Sequence, residues 1–452
     1  MARQYRTEHD TMGDMQVPDD ALYGAQTQRA VENFPISTLR LQRPFIKALG
    51  LIKSSAAVAN AKLGTLDAPI AARIKGGADR VTAGDYDNEF VIDVFQTGSG
   101  TSTNMNANEI IAHLAQAHPN NHVNLGQSSN DVFPSAMHIA AVELIEHDLA
   151  PAMLQLQQGL EKKAEQFAGI FKIGRTHLQD AVPMTLGQEF SGYAAQVEHC
   201  LERVEMTLPG LSELPLGGTA VGTGLNAPPG FAPAVIELIS HTMHHQFREA
   251  RNHFEAQASK DAVCFLSGAL KTYAVSLTKI ANDIRLLGSG PRCGFGELKL
   301  PPTQPGSSIM PGKVNPVIAE SVVMACAQVI GHDATISWCC AAGNFELNVM
   351  MPVMAYDVIE SIQLLAAVSR NFEGKCVCGL EADADRATGF VEQSLAMATV
   401  LAPRLGYDKA AQIAKEAYAS NRTIREVARE RSGLPEDELN ALLDPATQTG
   451  AS

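Results

Sequence analysis

Apolar residues recur at three- and four-residue steps from Met137 to Ile170, where Ile139, Val142, Ile145, Leu149, Leu156, Leu160, Ala164 and Phe167 alternate with charged and polar positions. That spacing predicts a long amphipathic helix, with Pro151 as the point at which it bends. Similar runs predict long helices from about Lys260 to Leu287, Pro316 to Ala342 and Leu347 to Phe372. Between Pro316 and Ala342 only Glu320, His332 and Asp333 carry acidic or imidazole side chains, too few for a helix with one side in water. Such a helix must be surrounded by others. One chain cannot easily wrap several of them, so packing between subunits is expected.

The same patterning divides the chain into three parts. Residues 1–127 form a mixed amino-terminal region, residues 128–385 a body of long helices, and residues 386–452 a small helical domain. In the last part Arg425, Glu426, Arg429, Glu430 and Arg431 are spaced as a solvated helix face.

The 45% hydrophobic content over 452 residues fits a globular protein with a large core. A formal net charge of -14, from 35 basic and 49 acidic side chains, argues against nucleic-acid or anionic-membrane partners, which call for a basic face. It leaves room for a small anionic substrate held by local donors. The eight cysteines are sparse and mostly lie in apolar helical segments, so they are expected to be reduced core residues. Cys376 and Cys378 lack a second pair at metal spacing, and no metal site is expected. The charged amino terminus has no apolar segment of the secretory type, and no stretch offers about 18 consecutive apolar residues, so a cytoplasmic location is expected.

One segment concentrates chemistry. Gly306-Ser307-Ser308-Ile309-Met310-Pro311-Gly312-Lys313-Val314-Asn315-Pro316 puts hydroxyls, an ammonium and an amide into a loop that opens a helix. Asn315 is placed to cap that helix and Pro316 to occupy its first turn, so free N–H groups and the positive dipole end would face an anion. The glycines from Gly217 to Gly224 have the wrong spacing and context for a dinucleotide fingerprint, and no nucleotide cofactor is expected.

Other motifs occur in a fixed order around that loop: Tyr23-Gly24-Ala25-Gln26-Thr27-Gln28-Arg29, Gln96-Thr97-Gly98-Ser99-Gly100-Thr101, Gln127-Ser128-Ser129-Asn130-Asp131, Gly174-Arg175-Thr176-His177 and Gly217-Gly218-Thr219-Ala220-Val221-Gly222. In these motifs the chain resembles the class II fumarases and the wider fumarase/aspartase superfamily, which eliminate water or an amine from succinyl-type substrates to release fumarate. The resemblance covers nearly the whole chain. It implies a mainly α fold whose central long-helix bundle forms the joint core of a homotetramer, with each site assembled from three subunits.

For the reaction it implies reversible anti-elimination of water from L-malate through an aci-carboxylate intermediate, a step of the tricarboxylic acid cycle, without a cofactor. Ser307 is implied as base, although a serine hydroxyl is far too weak an acid to ionise unaided. His177, oriented by Glu320, is implied as acid or proton relay. Lys313 and Asn315 are implied as donors to the charged intermediate, and Ser99, Thr101, Ser128, Ser129, Asn130, Thr176 and Ser308 as holders of the substrate carboxylates.

The chain departs from the resemblance at a second anion site. Where many class II fumarases read His-Pro-Asn-Asp, it reads His118-Pro119-Asn120-Asn121, and Leu125 stands where a basic residue is common. The alternative reading is aspartate ammonia-lyase or a lyase for another substituted succinate. Gly312 and Ser129 argue against aspartate, since ammonia-lyases typically carry Ala and Thr at these positions.

Overall fold

The computed structural model describes residues 4–450, so the first three residues of the amino terminus considered above for a leader lie outside it. An antiparallel hairpin, β1 (Tyr5–Asp10) with β2 (Gly13–Pro18), precedes five helices: α1 (Ala25–Asn33), α2 (Arg43–Lys62), α3 (Ala68–Ala83), α4 (Thr101–Ala115) and α5 (Ser129–Leu144). Helix α6 (Ala150–Gln166) leads into a second antiparallel hairpin, β3 (Phe171–Thr176) with β4 (Gln179–Thr185), and then α7 (Leu186–Glu205). The longest helices are Asp261–Leu287, Val317–Ala341 and Met351–Lys375, close to the spans expected from periodicity. All sheets among the described residues are two-stranded, and the fold is mainly α.

The expected single helix from Met137 to Ile170 is interrupted. A five-residue π-helical turn, Ile145–Leu149, separates α5 from α6. Pro151 explains the position: its ring would crowd the carbonyl four residues earlier and it donates no N–H, so the wider turn before it absorbs both defects.

Two compact units emerge, each assembled from discontinuous segments. One comprises residues up to 151 with 200–274 and 326–366; the other comprises 152–199, 275–325 and everything from 367 onward. In the first, Phe45, Leu49 and Ile52 of α2 and Val132, Phe133 and Met137 of α5 are buried, and the Phe45 and Phe133 rings lie 4.5 Å apart. Each such side chain contributes about 1.5–3 kcal/mol through burial. In the second, Phe167, Phe190 and Tyr193 pack edge to face, and the carboxy-terminal helices enclose a cluster that includes Leu401, Ile413, Val427 and Leu439.

Along Val317–Ala341 the buried positions Ala319, Val322, Cys326, Val329, His332, Ile336 and Cys339 form one stripe at helical spacing. The other side is also apolar yet open: Met324 is 68% and Trp338 74% exposed. By length and composition this helix and Met351–Gly379 are apolar enough to cross a membrane, which a count of uninterrupted apolar residues does not register. Their polar groups bond to neighbouring helices, however. His332 pairs with Ser361 at 3.0 Å, and Asp333 accepts from Ser267 and Lys271, as expected inside a helical bundle.

The cysteines divide differently from expectation. Cys200, Cys326, Cys339 and Cys376 are buried, but Cys293 and Cys378 are exposed because they sit in loops or short turns outside the apolar helix stripes. No disulfide joins any of the eight, and among the described residues no cluster of ligating side chains has the arrangement of a metal site.

Candidate active site

The Ser307 loop is closed by its own backbone. The Gly306 N–H donates to the Lys313 carbonyl at 2.7 Å and the Lys313 N–H to the Met310 carbonyl at 3.3 Å. Both glycines are required here. A Cβ on Gly306 would lie 2.4 Å from the Lys313 oxygen, and Gly312 has a φ of +80°, which L side chains rarely adopt.

Within this loop Ser307 Oγ accepts two backbone N–H groups, from Ile309 at 3.2 Å and Met310 at 3.0 Å. In a neutral serine this is a local turn. The same two donors would also stabilise negative charge on Oγ, so the loop is already arranged to favour the ionised hydroxyl. That supplies part of the setting a serine base needs.

Asn315 differs from expectation. Its amide turns back into the loop and donates to the Gly306 carbonyl at 2.6 Å, so it ties the loop together instead of capping the helix. The helix begins at Val317, and the Pro316 carbonyl accepts its first helical N–H, from Glu320. Lys313, Asn315 and Glu320 line one open cavity of about 820 Å³ with Arg285 and the Gly288–Pro291 segment. Ser308 and Lys313 are exposed and Ser307 is half-buried.

His177 occupies the tip of the β3–β4 hairpin. Thr176 pairs with Gln179, leaving His177 and Leu178 as a two-residue turn with φ values of 57° and 60°. Both are left-handed, the geometry of a type I′ turn, which usually takes Asn or Gly. Holding His and Leu there costs on the order of 1 kcal/mol each, strain of the kind found at functional sites. Below the tip, Arg175 clamps Glu297 through two bonds of 2.7 and 3.2 Å and stacks 4.3 Å from the Phe295 ring. Thr176 and His177 are exposed, and among the described residues neither His177 nor Glu320 has a side-chain hydrogen-bond partner. The two are therefore not joined within one chain.

A third group of residues lies where two helices begin. Ser99 Oγ is 2.8 Å from Thr101 Oγ1, which is 2.7 Å from Ser129 Oγ, so hydroxyls connect the starts of α4 and α5. Ser128 caps α5: its side chain accepts the Asn130 N–H at 3.2 Å, while its own N–H donates to Asp131 at 2.9 Å. Asn130 donates to the Ala220 carbonyl at 2.8 Å. Free N–H groups at two helix starts and three hydroxyls suit a carboxylate.

Asp131, given no role by its motif, is the most heavily engaged residue of this group. Wholly buried, it accepts the Ser128 N–H through one oxygen and the Gly217 and Thr219 N–H groups, each at 3.0 Å, through the other. The glycine cluster from Gly217 is thus the partner of α5. Burial pushes the Asp131 carboxyl up to about 6 against these three bonds, which lower it. The signal was present as the Ser128-x-x-Asp131 spacing of a capping box. Buried Glu109 plays a matching part for α1, accepting the N–H groups of Gly24, Gln26 and Thr27.

His118 precedes a π-helical turn, Pro119–Val123. Its Nδ1 accepts the N–H groups of Asn120 and Asn121, both at 3.1 Å, which places the ring proton on Nε2 in the neutral imidazole. All three residues are exposed.

Residues 13–331 match the lyase family, and residues 397–450 match the fumarase C C-terminus, so the fold and the loop motifs define a lyase. Over 453 residues the chain is 51% identical to class II fumarate hydratase of Corynebacterium glutamicum, covering 98% of this chain and 96% of that one. It is 53% identical over 442 residues to the class II fumarate hydratase of Mycobacterium tuberculosis, covering 96% and 93%. The crystal structure of class II fumarase from Schistosoma mansoni superposes with a TM-score of 0.95 at 38% identity, covering 98% of each chain. The chain belongs to the class II fumarate hydratase family.

Proposed function

We propose that this enzyme catalyses the reversible anti-elimination of water from L-malate to give fumarate, with Ser307 as the base. The observation that carries the assignment of Ser307 is the pair of N–H groups, from Ile309 and Met310, directed at its Oγ. A serine is useless as a base unless its anion is stabilised, and here the donors are in place before substrate arrives.

Removal of the proton beside a carboxylate drives charge onto that carboxylate, giving an aci-carboxylate. Lys313 and the N–H groups near Asn315 and the Val317–Ala341 helix start are the donors for it. His177 delivers a proton to the departing hydroxyl, directly or through water, and Glu320 orients it. Ser99, Thr101, Ser128, Ser129, Asn130, Thr176 and Ser308 hold the substrate carboxylates. His118, Asn120 and Asn121 make the second anion site, with an amide at Asn121 in place of the usual acid.

The chain works as a homotetramer in which three copies contribute to each site. Supporting this are the open apolar side of Val317–Ala341 and the unpartnered state of His177 and Glu320 among the described residues, which leaves both available to a neighbouring copy. The enzyme acts in the cytoplasm, within the tricarboxylic acid cycle.

The experiment is to incubate purified protein separately with L-malate and L-aspartate and follow the ultraviolet absorbance of fumarate. A rise with L-malate alone is expected. A rise with L-aspartate alone would make the protein an ammonia-lyase.

A further inference from the structure

Lys53, in the middle of α2, is wholly buried, yet among the described residues no carboxylate touches it. Its ammonium donates to Asn124 Oδ1 and Gln127 Oε1, both at 3.0 Å, and both are neutral amides. Asn124 Oδ1 also accepts from Asn104 and Asn108 of α4, at 3.2 and 3.1 Å. Among the described residues the charge acting on Lys53 is Asp131 of α5, whose two oxygens are already committed to three backbone N–H groups.

Burying an ammonium without a contacting counter-ion costs several kcal/mol, so its persistence here calls for a reason. Neutral amides take two of its three N–H donors without cancelling its charge. Gln127, one of the two, immediately precedes Ser128, the cap of α5, and Ser129 and Asn130 follow. The buried cation therefore stands behind the segment assigned above to a substrate carboxylate, where its field is little screened by water.

We propose that Lys53 is a positioning residue whose buried charge draws the substrate carboxylate to the start of α5, acting through space and through Gln127 without touching substrate. The proposal rests on the hydratase reading and extends it by a residue outside the motifs. Burial lowers the ammonium to about 7, so it loses its charge as pH rises through neutrality. A bound dianion holds the proton on Lys53, and substrate binding weakens above that pH.

The test uses the full-length enzyme, with initial rates on L-malate from pH 6 to 8.5. Lys53→Met is expected to raise KM about tenfold at pH 6.5, with kcat within about twofold, and to remove the rise of KM above pH 7 that the proposal predicts for the unaltered enzyme. Lys53→Gln, which keeps hydrogen bonding without charge, should behave alike and serves if the Met variant fails to fold. If either folded variant keeps both the KM and its pH profile, the proposal is overturned. Ser129→Ala separates the two readings: a raised KM there with an unchanged Lys53 variant removes only the role of Lys53, whereas no change in either removes the carboxylate from this helix start.

Discussion

Thr101 Oγ1 and Ser129 Oγ lie 2.7 Å apart, and through this contact the first turns of α4 and α5 share one hydroxyl chain that also includes Ser99. The contact fixes the separation of the two helix starts proposed above to hold a substrate carboxylate. Thr101→Val keeps the shape of the side chain but breaks the chain at its centre. It should raise KM for L-malate by about tenfold while lowering kcat less, because a hydrogen bond to a charged group is worth roughly 1.5–3 kcal/mol. Steady-state kinetics check this; an equal fall in kcat at constant KM would place the threonine in the chemical step instead.

Asp131 holds α5 to the Gly217–Thr219 turn, and its loss should be felt as instability before it is felt as altered chemistry. Asp131→Ala leaves three buried N–H groups without acceptors. The expected cost is about 3–5 kcal/mol, read as a lower denaturant midpoint at fixed protein concentration. Asp131→Asn, which retains one acceptor oxygen, should lose less.

Asp357 gives the pH dependence a sign. Burial, aided by nearby Glu360, pushes its carboxyl up to about 7 in the folded protein, well above the ordinary aspartate value. Between about pH 4 and 7 the folded chain keeps a proton that the unfolded chain has released, so this group lowers stability as pH rises across that window. His332, whose buried imidazole is lowered, acts in the opposite direction below about pH 6.5. Comparing Asp357→Asn with the unaltered enzyme isolates the aspartate: the variant should gain melting temperature progressively from pH 4 to 7 and hold that gain above. A constant difference across the range would mean that Asp357 is ionised throughout.

Much of this was legible in the chain because it is written in local patterns. The long helices follow from apolar spacing, and the Ser307 loop from its glycines, hydroxyls and lysine. What was not legible depends on distant partners. Lys53 looks like any helix lysine until Asn124 and Gln127 close over it, and Glu297 reveals nothing until Arg175 grips it. The Asn315 amide differs from expectation for another reason: its oxygen could cap a helix or its N–H tie a loop, and only the fold brings the Gly306 carbonyl to it. The break at Ile145–Leu149 likewise reflects a choice between a kink at Pro151 and a wider turn before it, and periodicity is blind to that choice.

A water-eliminating site built, as proposed, from parts on separate copies of the chain can be reconstituted from two variants with complementary defects. This is tested most directly by mixing two inactive variants, Ser307→Ala and His177→Asn, after mild denaturation, allowing them to reassemble, and assaying fumarate release from L-malate. If the base and the acid come from different copies, about one site in four in randomly mixed tetramers carries both native groups, so activity returns to roughly a quarter of the unaltered level. Activity that stays at the level of the separate variants would contradict the account.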